Sequence, residues 1–406
     1  MKIIRLKIVT RFQHFCILGF ALTALSANPL FANQVADFAK ATKGQYWIHY
    51  QVPMEGNNDL CCKDDNWNSH WRVSCTLADN SRRLSASANP SLADTNLQVF
   101  IKVDDHQITD LRSFSSICVV DTDSQTTYLM DDIAVADSVS LLYSLIDTNS
   151  YNGISKRALM AMALHQGEEA QTQLERLASK GNEENHNTER RRDAIFWLGS
   201  ARNEIGFKFL QGLLESETDT KLRKQIVFAI SQSNSADALH FLVNLSKNDS
   251  DPKVRSHALF WLAESEYPRA EEFILAAVNQ DPNRHVREEA VFHLSRIDSD
   301  TARQHLMQLA QNHVDSEIQE KAIFWLAESG DNRAKTVLVD MLHENHSYQI
   351  KEKVVFALSQ LDAPLATKSL IYVVENIKDP RLAKKALFWL NQSDEEEAVK
   401  FIASLF

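Results

Sequence analysis

Four cysteines and a histidine carry most of the covalent or metal chemistry open to the front third of this 406-residue chain. Cys61 and Cys62 are adjacent, His70 and Cys75 follow closely, and Cys118 completes the set. Thiolate and imidazole groups so close in sequence are zinc ligands by type. The same sulfurs, even in number and confined to one segment, read as two disulfides if the chain is exported. Adjacent cysteines rarely bridge each other because the ring is strained. The open connectivities are therefore Cys61–Cys75 with Cys62–Cys118, or Cys62–Cys75 with Cys61–Cys118. Disulfides are the expectation, with zinc at Cys61, Cys62, His70 and Cys75 as the alternative. Elsewhere, His343-x-x-His346 sits at an expected helix end and lacks a third ligand nearby. No glycine-rich phosphate loop, nucleophile elbow or zincin motif occurs. No catalytic residue, metal site or cofactor is expected.

The oxidising compartment is inferred from the segment Met1 to Ala32. Lys2, Arg5, Lys7 and Arg11 precede an apolar run from Phe15 to Ala27, and small residues follow around Ser26, Ala27 and Ala32. A basic head and an apolar stretch too short to span a bilayer fit a secretory signal, cleaved near Ala27 or Ala32. Cys16 lies inside the apolar run, without the small residues that precede a lipidated cysteine. Removing that segment takes four basic residues and no acidic one, leaving 39 basic against 54 acidic, a net charge near −15. Such a surface repels phosphate backbones, so nucleic acid is not an expected partner. A periplasmic or secreted protein that does not span a membrane is expected.

Two grammars divide the rest. From about 44 to 130 the period is two: Tyr46, Ile48, Tyr50 and Val52 alternate with Trp47, His49 and Gln51, and Leu97 to Val103 repeats the pattern. That predicts half-buried strands, with a hairpin at Asp104 to Gln107 leading into Ile108–Phe114, and a further strand over Ile117–Val120. The polar stretch from Asn57 to Pro90 reads as a long loop stapled by Cys61, Cys62 and Cys75. Ser138 to Ile146 turns helical.

From about 153 onward a phenylalanine returns at one fixed interval, at Phe196, Phe228, Phe260, Phe292, Phe324, Phe356 and Phe388. A fixed period in this range means stacked supersecondary units. Asp251-Pro252, Asp281-Pro282 and Asp379-Pro380 read as N-cap and first residue of a helix A. A second helix B carries a small residue at Gly206, Ala238, Ala270, Ala302, Ala334, Ala366 and Ala398, with an aliphatic four places on. The phrase Arg-x-x-Ala-aliphatic-x-x-Leu, as in Arg191 through Leu198 and Arg255 through Leu262, resembles HEAT-like repeats of the short bacterial type, also found in phycobilin lyases. The front segment, Tyr46 to Pro53 and then Cys61-Cys62, resembles the leader domain of exported bacterial HEAT-repeat proteins. The first resemblance implies an α-solenoid that binds other proteins along an extended surface. HEAT-like deoxyhypusine hydroxylase holds irons with His-Glu dyads. The matching places read His257-Ala258 and Glu289-Ala290, and only His343-Glu344 forms a dyad at all, so that chemistry is not expected.

On a helical wheel Val254, Ala258, Leu259 and Leu262 face the core, while Phe260 falls among Lys253, Ser256, His257 and Glu264. Seven aromatics at a nominally outward position form a candidate protein-binding stripe. The bland alternative is that each ring fills the groove against helix A of the next repeat. The next residue alternates with a doubled period, as Trp197, Ala229, Trp261, His293, Trp325, Ala357 and Trp389. Small residues stand four places beyond each tryptophan, at Ala201, Ser265, Ser329 and Ser393, and the pattern is read as size-matched core. Arg191, Arg223, Arg255, Arg287 and Lys351 recur one turn before the phrase, where they are expected to cap carbonyls.

The expected architecture is a signal over 1–32, a disulfide-stapled β-rich domain over 33–135, a linker helix over 136–152, and an all-α superhelical solenoid of about eight repeats over 153–406. The expected role is a non-enzymatic scaffold for a protein partner in the cell envelope, with a second site around Trp67, His70 and Trp71. The alternatives are a metal-binding or enzymatic protein using the Cys/His segment, and a lyase-like or hydroxylase-like HEAT protein. Ala403-Ser404-Leu405-Phe406 lacks a polar cap, which predicts docking of the last repeat, onto a second copy for example.

Overall fold

The computed structural model describes residues 3–6, 33–55, 58–62, 75–77, 84–88, 96–122, 124–146, 151–179, 188–329 and 332–405; at 3–6, 33, 58–62, 84–88 and 332 the description is of backbone alone. The expected signal therefore falls largely outside the described residues, as do Trp67, His70, Trp71 and Phe406. The chain divides into two compact units. One is Met1–Glu217 with Gln232–Ser235, the other Thr218–Ser231 with Ala236–Phe406.

In the first unit the period-two segments form strands β2 (Gln45–Pro53), β6 (Asn96–Asp104) and β7 (Gln107–Ser115), paired antiparallel in that order. Asp105 and His106 join β6 to β7 with φ of 41° and 73°. Two consecutive left-handed residues make the tight hairpin turn whose twist matches its strands. β9 (Thr127–Met130) runs parallel to β2, and β1 (Ile3–Leu6) runs parallel to β9, giving the sheet order β1-β9-β2-β6-β7. Trp47 is as buried as Tyr46, Ile48 and Tyr50, so both faces of β2 are covered.

Two sequence expectations change here. The stretch read as a loop holds β3 (Asn58–Cys62), β4 (Cys75–Thr76) and β5 (Leu84–Ala88), and β3 pairs antiparallel with β5. Ile117 belongs to a turn, and β8 begins only at Val120, pairing in parallel with β4. The reason is a carbonyl-to-amide turn: Cys118 N donates to Ser115 O at 3.0 Å, reversing the chain where a strand was expected. Helix α1 (Asn33–Ala41) precedes the sheet. Ala39 offers its carbonyl to His106 Nδ1 at 3.0 Å, tying that helix to the hairpin turn.

Helix α2 (Val135–Ile146) follows the sheet, and then the helices pair. In the first unit these are α3 (Gly153–Ala163) with α4 (Glu168–Ala178), and α5 (Thr188–Ala201) with α6 (Asn203–Ser216). The second unit holds six pairs: α7 (Thr220–Ser231) with α8 (Ala238–Asn248), α9 (Pro252–Ala263) with α10 (Ala270–Gln280), and α11 (Arg284–Arg296) with α12 (Asp300–Asn312). After them come α13 (Ser316–Glu328) with α14 (Asn332–His343), α15 (Tyr348–Ser359) with α16 (Ala363–Asn376), and α17 (Pro380–Leu390) with α18 (Glu396–Ala403). The odd-numbered members are the A helices. The protein is thus mostly helical and repeat-like after a small sheet-containing region.

Each A helix of the second unit starts on a side-chain cap, and the caps keep the period of the phenylalanines: Asp219, Asp251, Asn283, Asp315, Ser347 and Asp379. Asp281-Pro282 is therefore not a helix start. Asp281 ends α10, and both its oxygens are engaged by Arg255 at 2.8 Å, which leaves capping to Asn283. From Leu259 to Ala398 the inward residues form one apolar core. The small residue of helix B permits the close crossing. A Cβ added to Gly206 would stand 1.9 Å from Leu198 O, and Ala238, Ala270, Ala302, Ala334, Ala366 and Ala398 are all buried.

Candidate functional site

The recurring phenylalanines lie along the seam between successive A helices. Phe228 meets Trp261 with ring centroids 4.7 Å apart, and Phe292 meets Trp325 at the same separation. Phe260 contacts His293 at 5.7 Å, and Phe356 contacts Trp389 at 5.3 Å. Each partner stands one place past the next phenylalanine of the column. At the one remaining step the partner position is Ala357, and Phe324 stacks instead on Phe356 at 6.5 Å. Phe196, in the first unit, packs edge-on against Trp197 at 5.2 Å. Six of the seven rings are half-buried, and Phe388 alone is exposed, at 54%. The five rings from Phe228 to Phe356 thus fill the inter-repeat groove of the second unit and leave part of each ring at the surface.

The tryptophans do not lie in the core between A and B helices. Trp197, Trp261, Trp325 and Trp389 are half-buried, whereas the residues that replace them, Ala229, His293 and Ala357, are buried. The wheel set them on the core face, but in the second unit Trp261, Trp325 and Trp389 are met by the preceding repeat's phenyl ring. The serines beyond them have another task. Ser265 Oγ donates to Leu262 O at 2.7 Å and accepts from Tyr267 N at 3.3 Å, and Ser393 Oγ accepts from Glu395 N at 3.2 Å. They fold the turn from A to B, so their smallness reflects turn chemistry and not a match to indole.

One helical turn from the rings runs a parallel polar rail with the same offset. Glu320 pairs with Lys353 at 3.0 Å, Glu352 with Lys385 at 2.6 Å, and Ser256 donates to Glu289. Four of the five residues of the basic column cap carbonyls as expected, and Arg223 pairs with the Asp249 carboxylate at 2.5 Å. Arg191 Nε donates to Ala178 O at 2.6 Å, Arg255 to Asp249 O at 2.9 Å, Arg287 to Asp281 O at 3.0 Å and Lys351 to Leu342 O at 2.7 Å. These acceptors end the preceding B helices, where helix geometry leaves carbonyls without partners. Even the departure Gln319 reaches Ala310 O and Gln311 O, at 2.9 and 3.0 Å.

Between α9 and α11 the seam turns polar. Ser256 Oγ lies 3.3 Å from His293 Nε2 while donating to Glu289, and Glu289 also meets His285 at 3.1 Å. Trp261 Nε1 donates to His257 Nε2 at 3.1 Å. Burial pushes both His257 and His293 down to about 4, because a charged ring would lose its water. Serine, histidine and glutamate stand together, yet the serine's proton goes to the carboxylate, and Ser256 is itself buried. A nucleophile needs its base to hold that proton and needs access to substrate. Among the described residues no group of three or more His, Cys, Asp or Glu could hold a metal ion. The side chains of Cys61, Cys62 and His70 lie outside them. No described helix is long and apolar enough to cross a membrane.

A family model described as HEAT repeats matches residues 241–324. No curated protein matches the sequence. Among solved structures, human deoxyhypusine hydroxylase is similar at 13% identity, covering 63% of this chain and 96% of that one, with a TM-score of 0.27. The Escherichia coli protein YibA is similar at 19% identity over 65% of this chain and 100% of its own, TM-score 0.33. The CpcE–CpcF complex of phycocyanin lyase from Nostoc sp. PCC7120 is similar at 18% identity over 57% and 92%, TM-score 0.29.

Proposed function

We propose, from the match of residues 241–324 to HEAT repeats, that this chain is a scaffold that holds a protein partner and catalyses no reaction itself. The observation that carries the reading is the aromatic seam. Rings of Phe228, Phe260, Phe292, Phe324 and Phe356 are each half-covered by the next repeat, which leaves a line of ring edges at the surface of the second unit. Phe388 is the most open of them and the one whose replacement disturbs packing least. Affinity capture from envelope extracts, comparing the native chain with Phe388→Glu, tests the role. A variant that melts normally and loses a partner supports it; one that retains every partner removes the seam from consideration.

We further propose that the protein is exported and stapled by two disulfides joining Cys61 and Cys62 to Cys75 and Cys118. Supporting this, Cys75 and Cys118 are both buried and pack in one cluster with Trp47, Phe100 and Phe114. The competing zinc reading at Cys61, Cys62, His70 and Cys75 requires free thiolates. Metal analysis with thiol titration on protein purified from the periplasm separates the two: stoichiometric zinc with free thiols favours the metal site. A second copy as partner of the last repeat is supported by exposed Val399 and Leu405, and is tested by the mass of a Leu405→Ser/Phe406→Ser variant in solution.

A further inference from the structure

Within the first unit, strand β2 is fastened to the turn between α3 and α4. Glu55 N donates to Leu164 O at 2.8 Å, Gln166 N donates to Pro53 O at 3.0 Å, and Met54 bridges to His165 between them. Arg202 grips the same turn from the start of α6. Its guanidinium donates to His165 O and Gly167 O, both at 2.6 Å, and to Gln171 Oε1 at 3.0 Å, while Glu55 lies 3.7 Å away.

The His165 ring is wholly buried inside this fastening, and its protons have one permitted arrangement. Nδ1 lies 2.7 Å from Ala161 O, and a carbonyl can only accept, so Nδ1 carries the hydrogen. Nε2 is then the acceptor for Ser138 Oγ at 2.7 Å, and Ser138 Oγ in turn accepts from Tyr50 Oη at 2.8 Å. The direction runs Tyr50 to Ser138 to His165 to Ala161, and every donor is used. A second proton on the ring reverses the upper half. Nε2–H would donate to Ser138 and Ser138 to Tyr50, whose own hydrogen then has no further acceptor among the described residues. An unsatisfied buried hydroxyl is costly, and so is an imidazolium facing a guanidinium.

We propose that this chain is an acid-operated fastener: proton uptake at His165 frees strand β2 from the α3–α4 turn, parting the sheet from the first helix pair at mildly acidic pH. The charged and titratable groups around the ring bear this out from each side. β2 brings Tyr50 and, just beyond its end, Glu55; α4 brings Glu175, which acts on Arg202; the start of α6 brings Arg202 itself. From α2 and α3 come the Ser138 hydroxyl and the Ala161 carbonyl. Both of these anions, Glu55 and Glu175, act on Arg202. Burial, first, and Arg202 hold the ring down at about 4 against an ordinary 6.5. The folded ring thus binds fewer protons than the unfolded one, and the fastening weakens as pH falls from about 6.5 towards 4.

Hydrogen exchange on the full chain tests this, with protection compared at pH 7 and pH 5 after correction for intrinsic rates. Amides of Gln45–Glu55 and of the α3–α4 turn are expected to lose protection about 20-fold, the linkage value for such a ring. His165→Gln, whose carbonyl oxygen accepts from Ser138 and does not titrate, is expected to abolish the pH dependence. An unchanged dependence in that variant overturns the proposal, as does uniform protection of the native chain at both pH values. Should the variant not fold, nitrogen resonances of labelled histidines in the native chain decide. A His165 ring protonated on Nδ1 and titrating together with the opening sustains the proposal, and one titrating near pH 6.5 with protection unchanged ends it.

Discussion

The seam of the second unit and the fastening of the first both hold neighbouring elements together, with opposite chemistries. Along α7 to α17 the same contact is made again and again: a phenyl ring against the residue just past its successor in the column, beside a polar pair with the same offset. It tolerates variation, since tryptophan, histidine and another phenylalanine all serve as the partner. Around Arg202 and His165 no contact repeats, and each hydrogen bond has one donor and one acceptor that fit. Apolar contacts are non-directional and lose energy by degrees. Buried polar networks are satisfied or broken, and a half-satisfied one is worse than none. The comparison predicts graded losses in the array and abrupt ones at the fastening.

The largest effect is expected from Arg202→Ala, which leaves the buried His165 carbonyl without its donor and takes another from Gly167; roughly 3 kcal/mol should be lost from the first unit. Denaturant unfolding followed by exchange in each unit would show it, and a loss spread evenly over both units would break the contrast. Acidification comes next. His165 should remove about 2 kcal/mol from the first unit between pH 7 and pH 5, and more towards pH 4. His257 and His293 act in the same direction in the second unit, because burial holds both folded rings down at about 4. Stability above pH 6.5 is therefore untouched by these groups, and a melt measured across that range should be flat in their terms. Phe292→Ala takes a half-covered ring from the seam and should cost about 2 kcal/mol, read from exchange of α11 and α13. Lys351→Ala removes one cap from the Leu342 carbonyl and should cost about 1 kcal/mol, since water can reach that helix end. If Lys351→Ala proved as damaging as Arg202→Ala, the distinction between repeated and singular contacts would fail.

The array was legible because it is periodic. One phenylalanine column located seven of the eight helix pairs, and the basic column announced its own task of capping the preceding B helix. Where a residue had two roles at one spacing, the reading slipped. Asp281 stands before a proline like Asp251, but its equivalent is Asp249, two places earlier in the frame; the column Asp219, Asp251, Asn283, Asp315, Ser347 and Asp379 would have shown this. Trp261 and its kin fall on the core face of the wheel yet are only half-buried, because nothing in one helix tells where the next repeat will lie. The fastening left no trace at all. Tyr50, Ser138 and His165 share no motif, spacing or period, and only the meeting of a strand with two helices brings them together. Strands β3 and β5 were missed for a related reason: their sequences, rich in Asn, Asp, Ser and Ala, carry weak strand preference, and pairing supplies what composition lacks.

The constant offset between each ring and its partner has a consequence for how such an array can change length. Because every neighbour contact obeys the same rule, cutting out one whole period, for instance 252–283, would present Phe228 to His293 in place of Trp261, and both are surfaces that a phenylalanine of this protein already accepts. Growth and shrinkage by complete modules need no new interface to be invented. A cut that is not a whole number of periods would set the ring at the junction against the wrong neighbour, while rings farther along keep theirs.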